Sequence, residues 1–139
     1  GGDAKAGRQI FFERPDAACL RCHKVNGEGG EIGPDLTGVG ARQQREYLME
    51  SMVYPNRQIA AGFDNLLVQT KSGAAYAGVL KNETAEELTL NSPEDGLVTI
   101  KKADIQSRDK GLSAMPEGLT NVVTKQDLRN LVEFLNGLK

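Results

Sequence analysis

The sequence predicts a mainly α chain with a small antiparallel β-sheet set into it, and three observations carry that expectation. Apolar residues recur at helical spacing near the start, within residues 43–54 and again near the end. Between residues 63 and 105 the period shortens toward two, and turn signals cut the run into short segments. The only two cysteines and the only histidine lie together as Cys19-Leu20-Arg21-Cys22-His23. At 139 residues the chain fits a single domain, 1–139, with the meander at 63–105 as an insertion within it. Its hydrophobic share of 39% can build a core, and the absence of tryptophan makes that core aliphatic.

Asp3 is placed to cap a first helix that runs to about Glu13, with Gly7 and Phe11 one turn apart on one face and Ile10 beside them. Pro15 ends it, since a proline ring cannot continue a helix. The Cys19–His23 turn comes next. Two cysteines spaced C-x-x-C with histidine directly after form the attachment pattern of a c-type haem. Each thiol can add to one vinyl group of the porphyrin, and the short turn swings the following imidazole beneath the iron. Three other chemistries use the same residues less well. A zinc site needs about four ligands, and no second Cys or His cluster exists. A dithiol redox pair belongs beside a βαβ pattern, whereas Gly30-Glu31-Ile32-Gly33-Pro34 follows here. A disulfide closing so small a loop adds little stability. A buried haem would also supply the aromatic bulk that the composition lacks.

Residues 24–33 are too rich in glycine for regular structure and read as a loop. Pro34-Asp35-Leu36 follows it. A carbonyl near Pro34 would accept the second imidazole N–H of His23, fixing the tautomer and raising ligand basicity; a plain turn proline accounts for the same residues equally well. Residues 43–54 read as an amphipathic helix, with Leu48, Met49, Met52 and Val53 on one side and Arg45, Glu46 and Glu50 on the other. Pro55 stops it. Leu66–Thr70, Ala75–Leu80, Leu88–Leu90 and Leu97–Ile100, separated by turn signals at Ser72-Gly73, 82–85 and Asp95-Gly96, predict a three- or four-stranded antiparallel meander. Residues 112–119 are irregular. Thr124-Lys125-Gln126-Asp127 resembles a capping box, and Leu128, Leu131, Val132 and Leu135 carry a last helix to about Gly137, with Phe134 near its end.

A haem iron held by one histidine needs a sixth ligand or stays open to small molecules. Met49 and Met52 stand at core-type spacing inside a helix, where packing is their default role. Met115 lies in the segment between the sheet and the last helix, and Pro116 would stiffen the backbone that presents its sulfur. Met115 is therefore the favoured sixth ligand, with a lysine or an open position as the alternatives.

Taken together these residues resemble the class I c-type cytochromes. Gly7 with Phe11, Cys19 to His23, Gly33-Pro34, Met115 and the helix ending near Phe134 follow that family's order. The resemblance is closest to the planctomycete and verrucomicrobial type of haem-binding domain, through Gly33–Gly40, Tyr47-Leu48, Ser51, Pro55 and Met115–Leu119. It implies a cytochrome c fold, in which N- and C-terminal helices cross over one covalently bound haem c, with a small sheet inserted before the methionine segment. It implies Cys19 and Cys22 as tethers, His23 and Met115 as iron ligands, Pro34 as the neighbour that orients His23, and Arg42 as a contact to a haem propionate. For Arg42, simple solvation of an arginine beginning a helix is the competing reading. The resemblance also implies one-electron transfer, with a redox partner protein or a fused dehydrogenase-type domain as the partner.

A second function stays open beside electron transfer: a gas sensor or peroxidase with a displaceable sixth ligand. Against the peroxidase stands the want of a spare histidine as distal acid or base. The insertion reads either as a cover for one flank of the haem pocket or as an interaction module for a partner or a second copy, a homodimer. The net charge of −2 gives no electrostatic case for nucleic acid or a membrane surface. No apolar run approaches a membrane-spanning length. Covalent haem attachment implies a periplasmic or otherwise extracytoplasmic site, and the Gly1-Gly2 start is expected to mark a processed or excised segment.

Overall fold

The computed structural model describes every residue except Ala61, Glu94, Leu112, Ala114 and Pro116. The expected stiffening by Pro116 thus lies outside the described residues. The chain divides into two compact units, one formed by Gly1–Gln58 with Met115–Lys139 and the other by Ile59–Ala114.

In the first unit, helix α1 (Ala4–Glu13) starts where the Asp3 carboxylate accepts from the backbone N–H groups of Lys5, at 2.9 Å, and Ala6, at 3.2 Å. It buries Gly7, Ile10 and Phe11. A one-turn helix α2 (Cys19–Cys22) follows, then strands β1 (Lys24–Val25) and β2 (Glu28–Gly29), the one-turn α3 (Val39–Arg42) and α4 (Arg45–Val53). Helix α5 (Lys125–Asn136) closes the chain. Its capping box is complete: Asp127 N–H donates to Thr124 Oγ1 at 3.0 Å, and Thr124 N–H donates back to Asp127 Oδ2 at 2.9 Å. Helix α1 packs on α5 at Gly7, where a Cβ would lie 1.9 Å from the Asn130 carbonyl oxygen. Only glycine permits so close an approach of the two backbones. Around it Phe11 meets Phe134 at 5.7 Å and Phe12 at 5.2 Å between ring centroids. Arg14 ties the end of α1 to the start of α5, donating to Asp127 at 3.0 Å and to the Val122 carbonyl at 2.8 Å.

The second unit holds β3 (Asn65–Thr70), β4 (Ala75–Glu83), β5 (Glu87–Ser92), β6 (Gly96–Lys101) and β7 (Ile105–Lys110). They form one antiparallel sheet in the order β6-β5-β4-β3-β7. β6 and β7 sit at opposite ends of that order, yet only the 3₁₀ turn Lys102–Asp104 joins them. A flat sheet would hold them about 19 Å apart, while a link of this length covers about 8–10 Å. The sheet therefore curls into a partly closed barrel, helped by register shifts at Gln69/Thr70 and Leu80/Asn82 that add local twist. Glu83 marks the closure: its carboxylate pairs with Lys102 and Arg108, each at 2.8 Å, and these partners hold its pKa down at about 2. Val68, Leu88, Leu90 and Ile100 fill the interior.

The expected mainly α fold is corrected by this architecture. Among the described residues 34% are helical and 28% lie in strands, with a five-stranded sheet in place of a small three- or four-stranded one. The physical reason is that the curled sheet buries a core of its own, so it behaves as a second compact body. The glycine-rich residues 24–33 are likewise no plain loop. β1 and β2 pair there through a turn at Asn26, φ 51°, and Gly27, φ 85°, and two positive φ angles are what a type I′ hairpin requires.

Candidate functional site

The site is built on the backbone that surrounds α2. Ala18, held at φ 54°, bends the chain from the end of α1 into the turn. The His23 N–H then closes the turn on the Cys19 carbonyl at 2.9 Å. Cys19 and Cys22 thus stand one helical turn apart, both half-buried and both free thiols. Burial pushes the Cys19 thiol up to about 11 and raises Cys22 as well, so both sulfurs are held protonated at neutral pH.

His23 is partly buried, and its Nδ1–H donates to the Pro34 carbonyl at 2.8 Å. A carbonyl can only accept, so this bond fixes the Nδ1–H tautomer and leaves Nε2 with its lone pair free for a metal. Burial pulls the imidazole pKa below its ordinary value, and the Pro34 bond opposes that shift without reversing it. The ring is therefore neutral at pH 7, the form that ligates.

The chain around Pro34 is fastened at each step. Gly33 N–H donates to the Cys22 carbonyl at 2.7 Å, and Leu36 N–H to the Lys24 carbonyl at 2.8 Å. Asn26 N–H donates to Thr37 Oγ1 at 2.7 Å. The guanidinium of Arg42 reaches back to the Thr37 carbonyl at 2.7 Å and the Asp35 carbonyl at 3.2 Å. Gly33 lies flat against the imidazole, and a Cβ there would sit 2.6 Å from His23 Cε1. Sequence reasoning missed Gly33 as a packing surface for the His23 ring and Thr37 as an anchor of the loop. The signal was present for the first, a glycine directly before the proline, but nothing local separates it from an ordinary turn glycine.

Met115 packs, together with Cys19, Phe12, Leu20 and Leu36, against the same core cluster of the first unit. Met49 and Val53 border that cluster and Met52 lies within it, as expected for methionines that pack. The structure thus brings Cys19, Cys22, His23 and Pro34 together in one turn and its partner loop. It gathers Met115 into the same hydrophobic cluster and places Arg42 on the loop carbonyls. Among the described residues no group of three or more His, Cys, Asp or Glu side chains is set to hold a metal ion on its own.

These residues fit a covalently held haem. The two thiols form no disulfide, the free Nε2 belongs to a neutral imidazole, and apolar side chains including the Met115 thioether pack on the same cluster. A donor set of one imidazole and one thioether is that of a low-spin haem iron. A search of the curated proteins finds no match. The model of the family described as Cytochrome c matches residues 4–89, from the first residue of α1 through the C-x-x-C-H turn and the Pro34 acceptor into β5. This match, over more than half of the chain, makes it a member of the cytochrome c family, whose domains bind haem and transfer electrons.

Proposed function

We propose that this chain is a monohaem electron carrier in which Cys19 and Cys22 tether one haem c and His23 and Met115 ligate its iron. The observation that carries this reading is the His23 Nδ1–H bond to Pro34 at 2.8 Å, next to two free thiols in one turn. When bound, the group supplies a one-electron couple whose potential is raised by methionine ligation. The residues of the chain orient and tune it. The Pro34 carbonyl holds the imidazole in one tautomer and strengthens its donation through Nε2. Met115 presents a neutral sulfur, and the apolar cluster of Phe12, Leu20 and Leu36 keeps water from the ligands. Arg42 has five N–H donors, of which the loop carbonyls take two, and a haem propionate is its proposed further acceptor.

The Gly33–Gly40 and Met115–Leu119 stretches support the planctomycete and verrucomicrobial subfamily. In this reading the domain works outside the cytoplasm, the usual setting of cytochrome c domains. It exchanges electrons with a partner protein or with a fused dehydrogenase-type domain. No helix among the described residues is long and apolar enough to cross a membrane.

Extraction tests the attachment. After expression with a covalent haem-attachment system and washing in acidified acetone, haem is expected to stay with the wild-type chain and to leave the Cys19→Ser/Cys22→Ser variant. Haem lost from the wild type under the same wash would overturn the tethering.

A further inference from the structure

The insertion Ile59–Ala114 leaves the first unit after Gln58 and returns to it at Met115, the proposed sixth ligand. A ligand placed directly after a long insertion is exposed to every excursion of that insertion, so something must fix where the chain returns. Closure entropy alone rises slowly with loop length, but it supplies no position.

Each unit holds the two ends of the insertion side by side in its own way. Within the barrel, β3 pairs with β7 so that Leu66 faces Lys110, and Gly111 N–H donates to the Asn65 carbonyl at 2.8 Å. The first and last strands of the insertion are therefore neighbours. Within the first unit, Asn56 Nδ2 donates to Glu117 Oε1 at 2.8 Å. Asn56 stands two residues before Gln58, and Glu117 stands two residues after Met115. This bond bridges the departing and returning chains across a sequence separation of 61. The chain after it is also fixed: Gly118 adopts φ 93° and Leu119 is buried in the core cluster.

We infer that the Asn56–Glu117 hydrogen bond is a clasp across the neck of the insertion that holds the Met115 segment in place, so that Asn56 and Glu117 are positioning residues for the sixth ligand. This rests on the reading of Met115 as that ligand. By pinning the returning chain, the clasp keeps the thioether seated and lowers the share of molecules in which the iron is open to another donor. A bond that favours the closed state by its net free energy reduces that open share by the corresponding factor.

Imidazole added to the ferric holoprotein reads the open share, because its apparent affinity scales with the fraction of molecules able to accept it. Asn56→Ala removes the donor. Asn56→Asp sets two carboxylates against each other. Asn56→Asp/Glu117→Gln restores a donor and an acceptor with their places exchanged. Imidazole is expected to bind both single variants about two- to fivefold more tightly than the wild type, the range that loss of one hydrogen bond to a carboxylate gives where solvent screens it. The exchanged pair is expected to return to the wild-type value, which general damage to the fold would prevent. If the wild type has the methionine-to-iron charge-transfer band and the single variants bind imidazole as it does, the clasp is overturned and the Met115 reading stands. A tighter-binding single variant that the exchange leaves unrescued also overturns it. Absence of the band from the wild type overturns both.

Discussion

At the scale of single residues, the site depends on one imidazole being held from two sides. The Pro34 carbonyl takes its Nδ1–H, and Gly33 leaves room for its ring. Gly33→Ala would place a methyl group 2.6 Å from Cε1 and 2.9 Å from Nδ1. The ring or the loop must then shift, at a cost of about 1–3 kcal/mol. Chemical denaturation is expected to show that loss, together with weakening of the low-spin spectrum as His23 leaves its position. An unchanged spectrum would mean that the loop moves and the ring does not. The proposed tethers and the histidine stand out in the sequence because their chemistry needs adjacent residues, and spacing alone reveals adjacency. The acceptor for His23 was only half legible: a proline eleven residues on is close in space only because Gly33 N–H and Leu36 N–H tie its loop to Cys22 and Lys24.

At the scale of elements, the helices were legible and the sheet only in part. α1 and α5 announce themselves through caps and a repeated apolar face, α4 only through its apolar residues since Gln44 makes no side-chain cap bond, and each lies within a residue or two of its expected bounds. The hairpin β1–β2 was obscured because its glycines look like loop composition, although Asn26-Gly27 is a hairpin signal in its own right. β7 was illegible for a different reason. Ile105-Gln106-Ser107-Arg108-Asp109-Lys110 contains one apolar residue, and the strand exists because β3 offers it an edge. What closes the barrel is polar. Glu83 holds Lys102 and Arg108, and its carboxyl titrates at about 2 against an ordinary 4.5. A lowered carboxyl pKa stabilises the folded state above the unfolded value and loses that contribution as the pH falls through the folded one. In urea unfolding the wild type is therefore expected to exceed Glu83→Gln in stability at pH 6. The difference should shrink from about pH 4.5 downward and vanish near pH 2. A difference that does not change with pH would assign the effect to packing.

At the scale of the whole molecule, the chain builds two separate cores. One core, built on α1 and α5, has Cys19 of the candidate haem site packed against it; the other fills the barrel. The expectation of a mainly α fold failed at this scale, because strand segments in a sequence do not declare whether they cover another core or enclose their own. Leu88 is fully buried in the barrel, and Leu88→Ala is expected to destabilise that unit by about 2–5 kcal/mol. Amide hydrogen exchange should then quicken across β3–β7 and stay unchanged in α5. Equal quickening in α5 would show a single cooperative body.

In the proposed function, His23 and Met115 hold one covalent haem as a closed electron carrier. Optical spectra of the purified holoprotein, oxidised and reduced, with and without carbon monoxide, test it most directly. Expected are a low-spin c-type spectrum, a ferric methionine charge-transfer band that Met115→Ala abolishes, and a reduced form that ignores carbon monoxide. A high-spin spectrum that shifts with carbon monoxide in the wild type would contradict it and would make the domain an open-site sensor or peroxidase.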